Sequence, residues 1–135
     1  MSTVKVTHVN PEGLIKNPAF TNIVTVEGSG KTVYIGEINA NDATGNVVGK
    51  GDMKTQALQV MENMQVALQT VGADWQHVIK WTVYAVQGQD LRPGYEAFQQ
   101  YWGKRQHPPV ITMLYVPALS NPDYLMGMEA VAVLP

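Results

Sequence analysis

The chain has 135 residues, no cysteine and a formal net charge of −2. This length predicts a single domain, residues 1–135, and a hydrophobic content of 45% is enough to bury a core. The absence of cysteine excludes disulfides and thiolate sites, and the nine basic residues form no patch for nucleic acid. No signal-peptide run is present, and no apolar stretch approaches the ~20 residues that span a bilayer. We therefore expect a cytoplasmic protein that binds neither nucleic acid nor membrane.

Turn residues and hydrophobic spacing divide the chain into eight predicted elements. The segment Gly28-Ser29-Gly30-Lys31 predicts a hairpin turn, because two β-rich runs joined by a Gly-containing loop are typical of hairpins. In chain order we predict strands at 5–9, 22–27 and 32–38, a helix at 52–72, a strand at 78–86, a helix at 90–102, and strands at 110–116 and 124–134.

The first predicted helix has the clearest pattern. Asp52 can cap its start and Gly72 can end it. Apolar residues at spacings of three and four share one face, and Gln56 falls mainly outside that stripe. The stripe is rich in methionine, which suits either an adaptable binding groove or a core-facing side, and we favour the core. Its members are Ala57, Val60, Met61, Met64, Leu68 and Val71.

The element order predicts an α+β fold, β-β-β-α-β-α-β-β, in which a mixed sheet has two helices on one face. The strand at 78–86 is apolar on both faces. One face would carry Val78, Thr82, Tyr84 and Val86, and the other Ile79, Trp81, Val83 and Ala85. An uncovered apolar sheet face would be an unusually large exposed patch for a soluble monomer. We therefore expect copies of the chain to associate through the free face.

Several strings, in the right order, resemble the Rid/YjgF family of reactive-intermediate deaminases. NPAFTN is similar to the family's Gly-Pro-Tyr-Ser-Gln segment, and VYIGEI followed by TG is similar to its Val-Tyr-x-Ser-Gly-Gln-Ile and Thr-Gly hairpin. VIKWTVY matches its Val-Val-Lys-x-Thr-Val-Phe strand, and MEAVA its closing Ile-Glu-Ala-Ile-Ala. The resemblance covers nearly the whole chain.

This resemblance implies a chorismate-mutase-like homotrimer with a central barrel and ligand clefts between subunits. It also implies a small-molecule ligand, and hydrolytic deamination of enamines and imines such as 2-aminoacrylate. We predict no cofactor and no metal, since His8, His77 and His107 lack metal-like spacing. A ribonuclease activity is the least favoured function, because the net charge is negative and the sequence offers no general acid–base pair with phosphate-binding cations.

The carboxylate anchor of the family deaminases is missing from its expected place. That anchor is an arginine after a Pro-x pair, and its guanidinium forks onto the substrate carboxylate. Here Pro108-Pro109 is followed by Val110. Arg92 and Arg105 are predicted to be solvated side chains at the ends of the second helix. We therefore predict an altered substrate, with a non-catalytic metabolite-binding or chaperone-like trimer as the alternative.

Six positions are predicted, by resemblance, to bind the ligand. Phe20 keeps the ring of a family tyrosine, Ile35 replaces a serine and Tyr95 an asparagine. Gly36 permits either a close backbone approach or a plain bulge. Glu37 is either a solvated edge carboxylate or a second acid of the site. The full set is Phe20, Ile35, Gly36, Glu37, Tyr95 and Val110.

Glu129 is the predicted catalytic residue. It is the only charged side chain between Asp123 and the C-terminus, and a carboxylate in an apolar strand is costly unless it is paired. Desolvation suits a carboxyl group to proton transfer. The alternatives are an exposed position at a strand end or a structural pairing with Lys80. If Glu37 and Glu129 share one cleft, the site should prefer neutral or cationic ligands.

Overall fold

A computed structural model describes residues 3–135 and has the predicted element order. No helix in this range is long and apolar enough to cross a membrane. The elements are β1 Lys5–Val9, β2 Ile23–Glu27, β3 Lys31–Asn39, α1 Met53–Thr70, a 3₁₀ turn Trp75–His77, β4 Val78–Val86, α2 Arg92–Trp102, β5 Val110–Val116 and β6 Met126–Leu134.

The strands form two sheets, one of β1 and β2 and one in the order β3-β6-β4-β5. Within the larger sheet only β4 and β5 run parallel, so this sheet is mixed as predicted. The predicted hairpin between β2 and β3 is wrong, because β2 pairs with β1 and β3 with β6. The glycine loop instead passes from one sheet to the other. Gly28 has φ +86° and lies against the backbone of Thr3, where a Cβ atom would not fit.

Helix α1 begins and packs as its pattern predicts. The Asp52 side chain accepts a hydrogen bond from the Thr55 amide at 3.3 Å, and the methionine stripe is buried in the core. Gln56 differs from the prediction, because it is fully buried. Its Nε2 donates to the carbonyls of Gly49 and Asp123, and its Oε1 accepts from the Leu125 amide. A polar side chain is buried here because loop carbonyls satisfy it.

Two elements, α2 and β6, begin two residues later than predicted, because local turns include the first residues. Helix α2 begins at Arg92 and not at residue 90, since the Asp90 carboxylate accepts a hydrogen bond from the Arg92 amide. Strand β6 begins at Met126 and not at residue 124, since the Tyr124 amide donates to the Asn121 carbonyl.

The two helices cover one face of the larger sheet, and we call the other face the open face. The core lies between α1, α2 and the covered face, where Trp81, Met128 and Ala130 pack. A register shift in β4 pairs Val78 with Ala132 and Lys80 with Val131. Val78 therefore lies in the core, and its predicted place on the same face as Thr82 and Tyr84 is wrong. The open face carries Tyr34, Lys80, Thr82, Tyr84, Val110, Thr112, Leu114, Glu129 and Val131.

The two arginines considered as replacement anchors lie elsewhere. Arg92 is solvated as predicted, with 86% of its side chain exposed beside Asp90. Arg105 is not simply solvated, because it pairs with Asp74 at 3.0 Å and donates to the Tyr101 and Trp102 carbonyls. Arg105 therefore braces the end of α2 against the 3₁₀ turn.

Candidate functional site

Glu129 lies on the open face and has a neutral partner. Its Oε1 accepts a hydrogen bond from the Tyr84 hydroxyl at 2.9 Å. Across the β4–β6 pair Glu129 faces Thr82 and Tyr84 faces Gly127, so the tyrosine reaches diagonally to the carboxylate. Lys80 and Glu129 are not among the ion pairs of the described residues. The alternative considered for Glu129, a structural ion pair with Lys80, is therefore not formed.

A pocket of about 290 Å³ lies beside Glu129 on the open face. It brings together three of the predicted positions, Ile35, Gly36 and Glu129, and adds Lys80 and Thr82. Gly36 lies at a register shift of β3, and an added Cβ would meet no atom within 4 Å. The bulge interpretation therefore accounts for its backbone. Ile35 pairs with Ala130, and its side chain packs against the core.

Glu37 is an exposed carboxylate on the edge strand β3 and lies close to the same cluster. Its Oε2 accepts a hydrogen bond from Asn39 Nδ2 at 2.7 Å. A Cβ atom at Gly127 would lie 2.6 Å from this oxygen, so the glycine leaves the space that Glu37 fills. Because Gly127 pairs with Tyr84, two carboxylates flank one phenol.

Glu129 and Glu37 both affect the pKa of the Tyr84 phenol. The hydrogen bond to Glu129 raises the pKa of Tyr84 above its ordinary value of 10.0, and burial and the charges of Glu129 and Glu37 add to the rise. A neighbouring negative charge disfavours ionisation of a phenol. Tyr84 is therefore a protonated hydrogen-bond donor at neutral pH.

Val110 and Lys80 are neighbours on the open face, since they pair across β4 and β5. Val110 is half-buried and brings no charge, whereas Lys80 is exposed and lines the pocket with Glu129. Sequence reasoning considered Lys80 only as a structural partner of Glu129. The missing information was the strand register, which places this cation beside the position expected to hold an arginine.

Phe20 and Tyr95 lie on the other side of the sheet. They line an apolar pocket of about 340 Å³ between the helices and the covered face, together with Met61, Met128 and Phe98. The Tyr95 and Phe98 rings stack with centroids 6.3 Å apart. Within one chain the structure therefore places Ile35 and Gly36 in one pocket and Phe20 and Tyr95 in another on the opposite sheet face, and the linings of these two pockets do not include Glu37 or Val110.

The histidines show one feature that their spacing did not predict. His8 and His107 come together with ring centroids 5.2 Å apart. Burial, and then the charge of His107, lower the pKa of His8. His77 accepts the Asp74 amide in the 3₁₀ turn. In residues 3–135 no group of three or more His, Asp or Glu side chains could hold a metal ion.

Comparison with known proteins gives a consistent result. The family model for endoribonuclease L-PSP matches residues 15–134. A RutC family protein of Pyrococcus abyssi is 34% identical over 104 residues, which are 76% of this chain and 79% of the relative.

Two solved structures show a similar fold. The Rid-family protein YyfB of Yersinia pestis, of unknown function, is 28% identical with a TM-score of 0.81, over 96% of this chain and 98% of that one. Escherichia coli TdcF with bound serine is 21% identical with a TM-score of 0.68, over 92% of this chain and all of that one.

Proposed function

The chain belongs to the Rid/YjgF/RutC family, whose model is named endoribonuclease L-PSP, and from this premise we propose that it hydrolyses a small imine or enamine at Glu129. The predicted family and its chorismate-mutase-like fold are confirmed. One observation carries the proposal. The Glu129 carboxylate lies in a pocket of about 290 Å³ with one oxygen bound to a neutral donor, Tyr84.

The proposed reaction is addition of water to a C=N bond followed by loss of ammonia. Glu129 takes a proton from water while the water oxygen bonds to the carbon of the iminium form and the C=N electron pair moves to nitrogen, which gives a neutral carbinolamine. Glu129 returns the proton to nitrogen, the C–N bond breaks as the carbinol hydroxyl gives its proton to the departing ammonia, and a carbonyl compound and ammonium leave. An enamine first takes a proton on carbon to become the iminium form. No cofactor enters this balance.

The charges around the pocket favour a substrate without a carboxylate. Val110 offers only apolar contact, and Lys80 is a point charge that cannot make the two parallel hydrogen bonds of a guanidinium. Glu37 and Glu129 add negative charge next to Tyr84. A neutral imine or a cationic iminium is therefore the preferred ligand. Escherichia coli TdcF was solved with bound serine, which carries a carboxylate, so the ligand proposed here differs from serine in charge.

The working form is proposed to be a homotrimer with a central barrel. In a single chain the open face leaves large hydrophobic side chains exposed to water, among them Leu114 at 43% and Tyr34 at 79% exposure. In one chain Phe20 and Tyr95 lie across the sheet from Glu129. A second copy can bring its own Phe20 and Tyr95 to the Glu129 pocket, so a cleft between copies would complete the predicted set of ligand-binding positions.

A coupled assay tests the activity with two kinds of imine. Acetophenone imine, formed in situ from its amine by an amine oxidase, has no carboxylate and should be hydrolysed faster than the spontaneous rate. Freshly formed 2-iminobutanoate should show little acceleration. Glu129→Gln should abolish the acceleration with little loss of fold. Strong hydrolysis of 2-iminobutanoate would contradict the substrate assignment, and unchanged turnover in Glu129→Gln would remove Glu129 from the chemistry.

The same assay separates catalysis from the alternative of a binding trimer. Saturable binding of acetophenone with no acceleration for any imine would favour a non-catalytic metabolite-binding protein. Calorimetric titration with the ketone measures this binding directly.

A further inference from the structure

The Tyr84 hydroxyl occupies one oxygen of Glu129 and leaves the other free. Oε1 accepts from Tyr84 at 2.9 Å, whereas no hydrogen bond to Oε2 is formed by the described residues. A carboxylate held through one oxygen keeps a defined orientation, and the second oxygen can act on a ligand or water.

The space for the tyrosine comes from the neighbouring strand. Tyr84 pairs with Gly127, which has no side chain to compete with the ring. Glu37 lies beside this glycine, fixed by Asn39 at 2.7 Å. The partly buried phenol therefore has a carboxylate on each side, and it donates its hydrogen bond to Glu129.

Lys80 is the competing partner for Glu129. It lies on the same strand as Tyr84 and lines the same pocket as Glu129, yet the two charges are not paired. Without the Tyr84 hydrogen bond the Glu129 side chain would be free to rotate, and a carboxylate oxygen could then reach the Lys80 ammonium. Such a pair would neutralise the base and fill the pocket with the lysine chain.

We propose that Tyr84 is a positioning residue that holds Glu129 by Oε1, keeps it apart from Lys80, and leaves Oε2 as the oxygen that takes the proton from water. The catalytic part rests on the proposed function of Glu129. The orientation part stands on the hydrogen bond and can be tested without turnover.

The direct test is a crystal structure of Tyr84→Phe, which keeps the ring and removes only the hydroxyl. We expect Glu129 to turn and form an ion pair with Lys80, within about 4 Å. Tyr115→Phe is the matched control, since this exposed tyrosine lies on the other face of β5. It should leave Glu129 unmoved. If Glu129 keeps its orientation in Tyr84→Phe, the proposal is overturned.

A spectroscopic titration tests the same contact in solution. The difference between the ultraviolet titrations of the wild type and Tyr84→Phe isolates the Tyr84 phenol, whose pKa is expected above 10.0. Glu129→Gln should lower this pKa strongly, and Glu37→Gln only slightly, because Glu37 acts through charge alone. A pKa that does not move in Glu129→Gln contradicts the contact.

Turnover then tests the catalytic part. With acetophenone imine, Tyr84→Phe should lower kcat about tenfold and change KM less, as expected for a misplaced base. Lys80→Met in the Tyr84→Phe background should restore part of kcat, because it removes the competing cation. A further loss in the double variant contradicts the proposal. Absence of turnover in the wild type would reject the proposed function, while the crystal structure and the titration would still decide the orientation.

Discussion

Gln56 is the residue whose burial differs most from its chemical type. Its side chain is fully buried and makes three hydrogen bonds to loop backbone on both sides of α1. Two of them bind the segment just before β6, so this residue connects α1 to the entry of the strand that carries Glu129. A glutamine in this position stabilises the fold through well-placed hydrogen bonds and not through hydrophobic burial.

Gln56→Ala is expected to lower the free energy of unfolding by about 3 kcal/mol. The change leaves the Asp123 carbonyl and the Leu125 amide without the Gln56 side chain, whereas the Gly49 carbonyl keeps its hydrogen bond from the Asp52 amide, and each unsatisfied buried group costs ~1–3 kcal/mol. Urea denaturation measures the loss. Gln69→Ala, on the same helix but exposed, is the matched control and should stay within about 0.5 kcal/mol of the wild type. Equal losses in both variants would contradict this role of Gln56.

Some residues of the candidate site can be predicted from a single sequence, and others cannot. Glu129 is conspicuous because it is a lone charge in an apolar strand. Its partner Tyr84 lies 45 positions away and is recognised only when β4 and β6 are known to be neighbours in a given register. The same holds for Lys80 beside Val110. Pairwise contacts across strands depend on tertiary structure, which local pattern does not contain.

At the scale of elements, helices are predicted better than strand pairing. Helix α1 follows from its cap at Asp52 and its apolar stripe, both of which are local features. The β2–β3 connection fails because a glycine-rich loop marks a change of direction and does not determine which strands form hydrogen bonds. The register shifts near Gly36 and Ile79 are likewise settled by packing.

Helix α2 depends on a brace at its C-terminal end. Arg105 joins the last carbonyls of the helix to Asp74 in the 3₁₀ turn, and 33% of its side chain is exposed. Arg105→Ala should lower the free energy of unfolding by about 1 kcal/mol, a value reduced for the partial exposure of the pair.

Thermal denaturation with a matched arginine variant measures this brace. Arg92→Ala removes a pair of similar chemistry at the other end of α2, where the side chain is 86% exposed. It should leave the melting temperature unchanged. A larger loss for Arg92→Ala than for Arg105→Ala would show that the brace does not stabilise the helix.

At the scale of the whole molecule, the larger sheet has one face covered by helices and one open to solvent. The open face carries both exposed hydrophobic side chains, such as Leu114 and Tyr34, and the Glu129 pocket. A trimer that buries this face would hold the ligand site at the contact between copies. The site and the assembly would then depend on the same surface.

A charge placed on the open face should dissociate the trimer. Leu114→Glu puts a carboxylate beside Tyr84 in the proposed contact, and taking an unpaired charge out of water there is costly. Val66→Glu adds the same charge to the outer surface of α1, where Val66 is 56% exposed. Sedimentation velocity should show a smaller species for Leu114→Glu alone, and circular dichroism should show that both variants are folded. Dissociation by Val66→Glu instead would locate the contact on the helices.

The most direct test of the account is the mass of the native particle by sedimentation equilibrium. Burial of the open face between copies predicts a mass of three chains of 14.8 kDa, stable on dilution. A stable particle with the mass of one chain would leave the open face in water and contradict the shared cleft.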